Sequence, residues 1–364
     1  MNRPTVTFLV NGGFQSIESV RARGLARRLS PDRTHFLFRE QGRLASLRRW
    51  HATLAEQRPD LLYVLNTALP GAALAVWWRK RHGTPYILDT GDAVYPMARR
   101  SGIQAGWRLP LLWLLEKSAL RNAAAIVVRG TRHREYLLAE GLSRVEVIRD
   151  GYAEQTQATA ESVAALRQRL GLEGRFVVGV MGSLVFSPRL GLCYGWDLIH
   201  ALARLKHLPI TGLVIGDGSG RPWLEALAHR LGVHERLVFC GRIPYPEVPT
   251  YLRLLDVALS TQTNNLPGQV RTTGKLPEYM AAERFILASR VGEAALLLPD
   301  LMLLDYVGEA DSGYPERLAE RVLTLYHRPE LLELRRTLPE LARRECNYDV
   351  LSANLAGLIG KLPL

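Results

Sequence analysis

A lysine and a glutamate lie one helical turn apart in a short stretch that could bind an anionic ligand. Pro277 has no backbone N–H and suits only a first helical turn, so the stretch predicts a helix that begins near Lys275. The amides of residues 272–275 then lack helical partners, and such amides attract anions. Lys275 adds a mobile positive charge, and Glu278 offers two acceptor oxygens that suit the hydroxyls of a ribose. The combination predicts a site for a nucleoside diphosphate.

A second interpretation needs no ligand. Glu278 would compensate the dipole of the helix from its first turn, and Lys275 would be a solvated loop charge. Apolar runs at 254–260 and 285–289 flank the stretch, which places it at the carboxyl end of a strand, where α/β sheets bind their ligands. On these residues alone, both interpretations stay open.

The elements that must position this stretch alternate between strands and helices along the whole chain. Such alternation predicts an α/β fold with parallel sheets. The length of 364 residues suits two domains. The predicted strands lie at 5–10, 35–38, 61–65, 86–89, 126–129 and 145–148 in the first half, and at 175–181, 211–215, 237–240, 254–260, 285–289 and 302–306 in the second. The predicted helices include one at 16–29 with Ser16 as its N-cap and one at 330–344.

Residues 272–281 resemble the segment Ser-Pro-x-Lys-Leu-x-Glu-Tyr-Met-Ala of group 1 (family 4) glycosyltransferases, which are retaining nucleotide-sugar enzymes of GT-B fold. The resemblance implies two Rossmann-like domains whose parallel sheets face a central cleft. We expect an acceptor-side domain at 1–152, a linker at 153–157, and a nucleotide-sugar-binding domain at 158–340. A final helix at 341–364 would cross back to the first domain.

The resemblance also implies a function. The protein would move a sugar from a UDP- or GDP-type nucleotide sugar to a saccharide or lipid-linked acceptor with retention of configuration, in bacterial surface polysaccharide or glycoconjugate synthesis. Another nucleotide-sugar enzyme of the same fold, an epimerase or a hydrolase, is an alternative, and so is a transferase that acts on a soluble small molecule.

Four further segments occur along the chain in the same order as the corresponding segments of the family. The resemblance implies which residues bind the donor. Glycine turns after strands have a purely structural explanation as well. The implied donor-binding residues are Gly12, Gly13, Gly182, Ser183, Arg189, Gly216, Gly218, Arg242, Ile243, Thr272, Thr273, Gly274, Lys275 and Glu278.

Two residues are candidates for the chemical step. Asp92 lies in the run Asp-Thr-Gly-Asp-x-x-x-Pro, which resembles the Arg/His-Asp-x-x-Pro loop of the family and implies a catalytic or sugar-contacting aspartate; a turn aspartate is the alternative. Lys275 would stabilise the departing diphosphate in place of a metal ion. We therefore expect neither a metal site nor a cofactor.

The sequence departs from the family at three positions. Where the family places an arginine and a lysine on the donor phosphates, this chain has Ser183 and Tyr194. Val270 stands where many members have a carboxylate that holds the donor sugar. Two charge-assisted hydrogen bonds of about 1.5–3 kcal/mol each would be missing. These departures bring the donor class and the activity itself into question.

Basic residues concentrate in the first half of the chain. Residues 1–150 contain 24 lysines and arginines against 12 acidic residues, and the net charge of the whole chain is also +12. An arginine-rich proteome explains the number of arginines but not their distribution, which favours an anionic partner. Tryptophans beside basic residues at 72–81 and 106–121 are typical of a membrane interface or of buried helices with charged ends.

Several classes of protein are disfavoured. No leader and no transmembrane run is recognisable, so we expect a cytoplasmic protein that can attach to the inner face of the membrane. Nucleic-acid motifs are missing, and aromatic residues do not interleave with the arginines. The arginines at 21, 23, 27 and 28 are interpreted as the solvated face of a helix.

Overall fold

The computed structural model describes residues 4–40, 42–101, 106–152, 158–272 and 274–364. Within them, two six-stranded parallel sheets form, one from each half of the chain. The first sheet has the order β2-β1-β3-β4-β5-β6, with strands β1 (Val6–Val10), β2 (Thr34–Phe38), β3 (Leu61–Leu65), β4 (Tyr86–Thr90), β5 (Ala125–Val128) and β6 (Val145–Val147). The second has the order β11-β10-β7-β12-β13-β14, with β7 (Phe176–Met181), β10 (Ile210–Ile215), β11 (Leu237–Gly241), β12 (Val257–Ser260), β13 (Phe285–Ser289) and β14 (Leu303–Leu304).

A small antiparallel hairpin follows β7 and was not predicted from the sequence. It consists of β8 (Phe186–Ser187) and β9 (Leu192–Cys193). Strands of two residues are too short to show the period-two pattern by which strands are recognised.

Helices connect the strands of both sheets. In the first half they are α1 (Ile17–Leu25), α2 (Arg43–Gln57), α3 (Gly71–His82), α4 (Val94–Ser101), α5 (Leu109–Arg121) and α6 (Thr131–Ala139). In the second half they are α7 (Ala160–Arg169), α8 (Trp196–Arg204), α9 (Arg221–Arg230), α10 (Val248–Leu252), α11 (Leu266–Val270), α12 (Lys275–Ala281), α13 (Ala294–Leu297), α14 (Tyr314–His327), α15 (Leu338–Cys346) and α16 (Tyr348–Gly360).

The four central strands of the first sheet, β1, β3, β4 and β5, are buried on both faces, as expected for parallel strands covered by helices. Alternate residues of β1 enter different cores. Phe8 packs in the core that contains residues of α1 and α16, and Leu9 packs in the core that contains residues of α2 and α3. The near-continuous apolar character of these strands follows from this double burial.

Two predicted helices differ from the structure. The helix expected at 16–29 ends at Leu25 and continues as a 3₁₀ turn, although Ser16 is its N-cap as predicted and accepts a hydrogen bond from the Ser19 amide at 3.2 Å. The helix expected at 330–344 is a 3₁₀ segment, Pro329–Thr337, followed by α15. Pro315 and Pro329 lie in first turns, where the lost N–H costs nothing.

The chain returns to the first sheet at its last helix. Leu338, Ala342 and Cys346 of α15 belong to the core of the second sheet. Tyr348 and Ile359 of α16 belong to the core of the first sheet. The crossing therefore lies at Asn347, later than the predicted residue 341, and the predicted linker 153–157 lies outside the described residues.

Among the described helices, none combines the length and the apolar character that crossing a bilayer requires.

Candidate functional site

A cavity of about 610 Å³ lies between the two sheets, and we call it the central cavity. In the second sheet the strand order reverses between β7 and β12, and in the first between β1 and β3. Ligands of α/β proteins bind outside the carboxyl ends of strands at such reversals. Gly182 follows β7, Lys275 opens α12, the second helix after β12, and both line the central cavity.

Lys275 begins α12, as the sequence predicted. Its ammonium Nζ lies 3.5 Å from the centre of the Tyr194 ring, a cation–π contact. A Cβ on Gly182 would lie 3.0 Å from the same Nζ, so a side chain there would displace the lysine by a few tenths of an ångström. Desolvation of the amine, and then the nearby Arg271, lower the pKa of Lys275 to about 7, while Asp197 opposes the shift.

The Lys275 ammonium lies next to two of the positions at which the sequence departs from the family. Gly182 directly precedes Ser183, and the ring under Nζ is that of Tyr194. The Lys275 ammonium thus lies beside both positions that lack the family's basic residues. The hydroxyl of Tyr194 donates to the carbonyl oxygen of Leu259 at 2.9 Å, which fixes the ring beneath the ammonium.

Glu278 lies one turn further along α12 and is buried. The hydroxyl of Tyr245 donates a hydrogen bond to Glu278 Oε1. Burial raises the pKa of Glu278 to about 7, and the bond from Tyr245 opposes the shift. A buried carboxylate with one oxygen bonded in this way is costly without further partners, and this favours a ligand over a surface charge that compensates the helix dipole.

Asp197 is a third buried group in the wall of the central cavity. It lies in the first turn of α8, and its Oδ2 accepts from the hydroxyl of Thr261. Its Oδ1 has no hydrogen-bond partner among the described residues. Burial raises the pKa of Asp197, and Lys275 is among the groups that lower it.

The first sheet contributes the opposite wall. The segments after β3 and β4 meet at one edge as predicted, because Asn66 and Asp92 both line the central cavity. Asp92 Oδ1 lies 3.2 Å from Nε of Arg271, and the hydroxyl of Thr272 donates to Asp150 Oδ2 at 3.3 Å. The loop before α12, which belongs to the second domain, therefore contacts the first domain.

Arg21 was predicted to belong to a solvated face, and this prediction is wrong. Its side chain is only 2% exposed. Nε donates to Asp89 Oδ2 at 2.9 Å, and the terminal nitrogens donate to the carbonyl oxygens of Ile148 and Arg149. The fully buried Asp89 requires a counter-ion, and α1 carries Arg21 over the end of β4, where it meets this charge. Asp89 is structural, as expected.

About half of the predicted site residues lie in the wall of the central cavity. Those that line it are Asp92, Gly182, Ser183, Thr272, Gly274, Lys275 and Glu278. Thr273 lies outside the described residues. The described residues that do not line it are Gly12, Gly13, Arg189, Gly216, Gly218, Arg242 and Ile243.

The glycines of the second group allow loops to pack closely. A Cβ on Gly216 would lie 1.9 Å from the carbonyl oxygen of Gly182, and one on Gly218 would lie 2.4 Å from that of Leu184. Gly12 packs against Ser16 and Glu18 in the same way, and Gly13 is partly exposed. Thus Gly216 and Gly218 shape the segment that follows β7.

Three other predicted side chains lie elsewhere. Arg242 is exposed, and Ile243 packs on the core of the second sheet. Arg189 lies at the tip of the β8–β9 hairpin, where it donates to the carbonyl oxygen of Arg99 at 2.9 Å. Their proposed contacts with the donor stay predictions.

Sequence reasoning missed Tyr245, Asp197, Thr261 and Gln262 as cavity residues. Tyr245 follows the turn after β11 by a few positions, and this placement was its only signal. Val270 is buried in α11 and cannot replace a carboxylate. Thr261 and Gln262 instead bring polar side chains to the wall after β12.

No group of three or more histidines, cysteines or acidic residues that could hold a metal ion occurs in the described ranges.

Comparison with known proteins assigns a family to each half. Residues 6–151 match the glycosyl transferase 4-like domain, and residues 175–328 match the domain of glycosyl transferases group 1. A 2-deoxystreptamine glucosyltransferase of Streptomyces kanamyceticus is 32% identical over 67% of the chain. A D-inositol 3-phosphate glycosyltransferase of Xylanimonas cellulosilytica is 24% identical over 71% of it. The matched region spans 61% of the first protein and 55% of the second.

Solved structures share the fold. Anabaena Alr3699/HepE in complex with UDP-glucose superimposes with a TM-score of 0.80 at 18% identity, over 98% of this chain and 99% of that one. The two parallel sheets facing a cavity, the two adjoining domain matches and this similarity agree with one another. The chain belongs to the group 1 glycosyltransferases of GT-B fold.

Proposed function

We propose that the protein transfers a sugar from a nucleoside-diphosphate sugar to a hydroxyl of an acceptor. The observation that carries the proposal is the pair formed by Lys275 and Glu278 on one side of the central cavity. The ammonium suits the diphosphate, and the carboxylate suits the hydroxyls of the ribose. Both groups are costly to bury without a ligand.

A uridine diphosphate sugar is the donor that we favour over a guanosine one. The support is the set of Anabaena HepE structures, which contain UDP, UDP with glucose, and UDP-glucose. The sugar would lie near Asp197, Thr261 and Gln262, whose polar atoms could replace the carboxylate missing at Val270.

In the proposed reaction the bond between the anomeric carbon and the diphosphate breaks, and the acceptor oxygen takes its place. The acceptor proton leaves with the diphosphate. The Lys275 ammonium would stabilise the negative charge that develops on this leaving group, so we propose that no divalent metal is needed. Retention of configuration and a contact of Asp92 with the sugar are proposed from the family resemblance.

For the acceptor we propose a saccharide or a lipid-linked saccharide, used in surface polysaccharide or glycoconjugate synthesis at the inner face of a membrane. The basic first half and an exposed apolar face on α5 support a membrane-bound acceptor. A soluble small molecule is the alternative, and the similarity to the 2-deoxystreptamine glucosyltransferase supports it.

A thermal-shift series with UDP, GDP and their glucose esters tests the pocket. A ligand at ~100 times its dissociation constant stabilises the folded protein by about 2.7 kcal/mol, which is a visible shift. We expect UDP to give such a shift and Glu278→Gln to lose most of it. Glu247→Gln, an exposed glutamate on a neighbouring segment, is the matched control and should keep it. If no nucleotide stabilises the wild type, the proposed function is wrong.

Product analysis separates transfer from the alternatives. We expect donor consumption to require an acceptor and to continue in the presence of a chelator. Release of free sugar at the same rate without any acceptor would instead identify a hydrolase, and loss of activity in chelator would identify a metal-dependent enzyme.

A further inference from the structure

A second cavity, of about 470 Å³, lies beside the central cavity between the two domains. Arg99 and Arg100 of α4 and Arg189 of the β8–β9 hairpin line it, and we call it the arginine cavity. Glu309 is the only acidic residue among the described residues that line it.

The arginine cavity has an excess of positive charge. Arg100 forms an ion pair with Glu309 of the second domain. Arg189 is anchored to the backbone carbonyl oxygen of Arg99, and neither the Arg99 nor the Arg189 guanidinium forms an ion pair with a described carboxylate. Arg99 and Arg189 are both exposed and line the same concave surface, and guanidinium groups suit phosphate or carboxylate oxygens.

This charge does not come from the N-terminus of α4. The amides of Val94 and Tyr95 donate to the two carboxylate oxygens of Glu116, each at 2.7 Å. That helix end is therefore already neutralised from within the protein, and the arginine side chains are the groups left to meet a ligand.

Neighbouring residues of two segments line the arginine cavity and the central cavity. In the hairpin, Ser187 and Leu190 line the central cavity, whereas Arg189 lines the arginine cavity. After β4, Asp92 lines the central cavity and Tyr95 lines the arginine cavity. A molecule bound at the arginines is thus adjacent to the place where we propose that the donor sugar reacts.

We propose that the arginine cavity binds a phosphate group of the acceptor. The inference rests on the proposed function, because it assigns this cavity to the acceptor of that reaction. It selects between the substrates named for the two relatives, since an inositol phosphate carries the required charge and the amines of 2-deoxystreptamine carry the opposite one.

Calorimetric titration of the UDP-loaded protein tests this inference, because UDP then occupies the diphosphate site. The probes are D-inositol 3-phosphate, a short-chain phosphatidylinositol below its micelle concentration, myo-inositol and 2-deoxystreptamine. We expect at least one of the two phosphate-bearing probes to bind ten times or more as tightly as myo-inositol, and 2-deoxystreptamine to bind no better than myo-inositol. The soluble probe and the lipid distinguish a free phosphate from a headgroup.

Two double variants test the residues. Arg99→Gln/Arg189→Gln should weaken the preferred phosphate probe at least tenfold. Arg48→Gln/Arg230→Gln removes the same charge from exposed positions on both domains and should change its affinity less than about twofold. Equal losses in both variants, no preference for phosphate, or no binding of either phosphate probe would overturn the inference. UDP binding in the same samples shows whether the proposed function has failed separately.

Discussion

The charged form of Lys275 destabilises the folded protein, yet it is the form that the proposed function needs. The Lys275 ammonium lies over the Tyr194 ring in the wall of the central cavity, where the side chain is partly buried, and desolvation lowers its pKa from 10.5 to about 7. The folded chain therefore binds this proton more weakly than the unfolded chain does. The resulting destabilisation is fully present below pH ~7 and disappears as the pH rises towards ~10.5.

We expect Lys275→Met to melt at a higher temperature than the wild type near neutral pH, and this advantage to shrink by about pH 10. The same change should weaken UDP binding roughly 10- to 100-fold, the effect of one charge-assisted hydrogen bond. Melting curves and titrations at several pH values measure both effects. Lys206→Met, at an exposed lysine of the same domain, should change neither.

The pH dependence of UDP affinity provides the measurement that could contradict this prediction. UDP affinity of the wild type should fall above pH ~7 as the amine loses its proton, whereas the methionine variant should lack this decline. A variant that keeps the wild-type profile would show that Lys275 does not contact the diphosphate.

At the scale of elements, α5 and the turn before it present an unusual surface. Trp107, Leu111 and Leu114 recur at helical spacing and are 68%, 62% and 59% exposed. Arg108 lies over the Trp107 ring at 4.9 Å, and Lys117 lies over the Trp113 ring at 4.5 Å. Exposed apolar side chains beside cations suit the headgroup region of an anionic bilayer.

We expect the protein to bind anionic vesicles reversibly, each nearby lysine or arginine contributing about 1 kcal/mol. Salt above ~0.5 M should weaken binding without abolishing it, because inserted side chains add a term that salt does not screen. Co-sedimentation measures this. The triple variant Trp107→Ser/Leu111→Ser/Leu114→Ser should bind vesicles much more weakly. The control triple variant Leu44→Ser/Leu138→Ser/Leu296→Ser, at other exposed leucines, should bind them as the wild type does. Equal binding by both triple variants would favour a soluble acceptor.

The sequence predicted the strands better than the contacts of the site. Buried parallel strands show long apolar runs, so all six strands of each sheet were found with small errors at their ends. The helix start at Lys275 was found because proline fixes a first turn. The contact between Lys275 and Tyr194 and the ion pair between Arg21 and Asp89 depend on which loops meet after folding. No local sequence pattern predicts these two contacts.

Sequence patterns also fail to distinguish α3 from α5, because both helices place tryptophan beside basic residues. In α3, Trp78 is buried and the neighbouring Trp77 is 46% exposed, whereas α5 exposes much of its apolar surface. Composition gives the amount of apolar surface on a helix, but packing against neighbours decides how much of it is covered.

At the scale of the whole molecule, a few contacts hold the two domains around the central cavity. Glu293 of the second domain is buried and accepts from the Thr131 amide at 2.7 Å, at the start of α6 in the first domain. It also accepts from Arg149 Nε at 2.9 Å, and Arg149 pairs with Glu345 at 3.0 Å. The Glu293 carboxylate thus caps α6 of the first domain and neutralises Arg149 of the same domain.

We expect Glu293→Gln to lower the free energy of unfolding by about 1.5–3 kcal/mol, because a charged hydrogen bond is lost and Arg149 keeps only part of its pairing. Chemical denaturation compared with Glu330→Gln measures this. That control removes an exposed glutamate from a surface pair with Arg328 and should leave stability unchanged. If the two variants are equally stable, the contact at Glu293 does not join the domains energetically.

The return of α16 to the first sheet imposes an order on folding during synthesis. The Tyr348 ring fills the space in front of Gly24 and Gly151, where a Cβ would lie within 2.4 and 2.8 Å of it. Yet the ribosome makes Tyr348 and Ile359 only after the entire second domain. The core of the first domain therefore cannot be completed until the second domain has been synthesised. A chain arrested at residue 152 would have every strand of the first sheet and still lack the residues that close it.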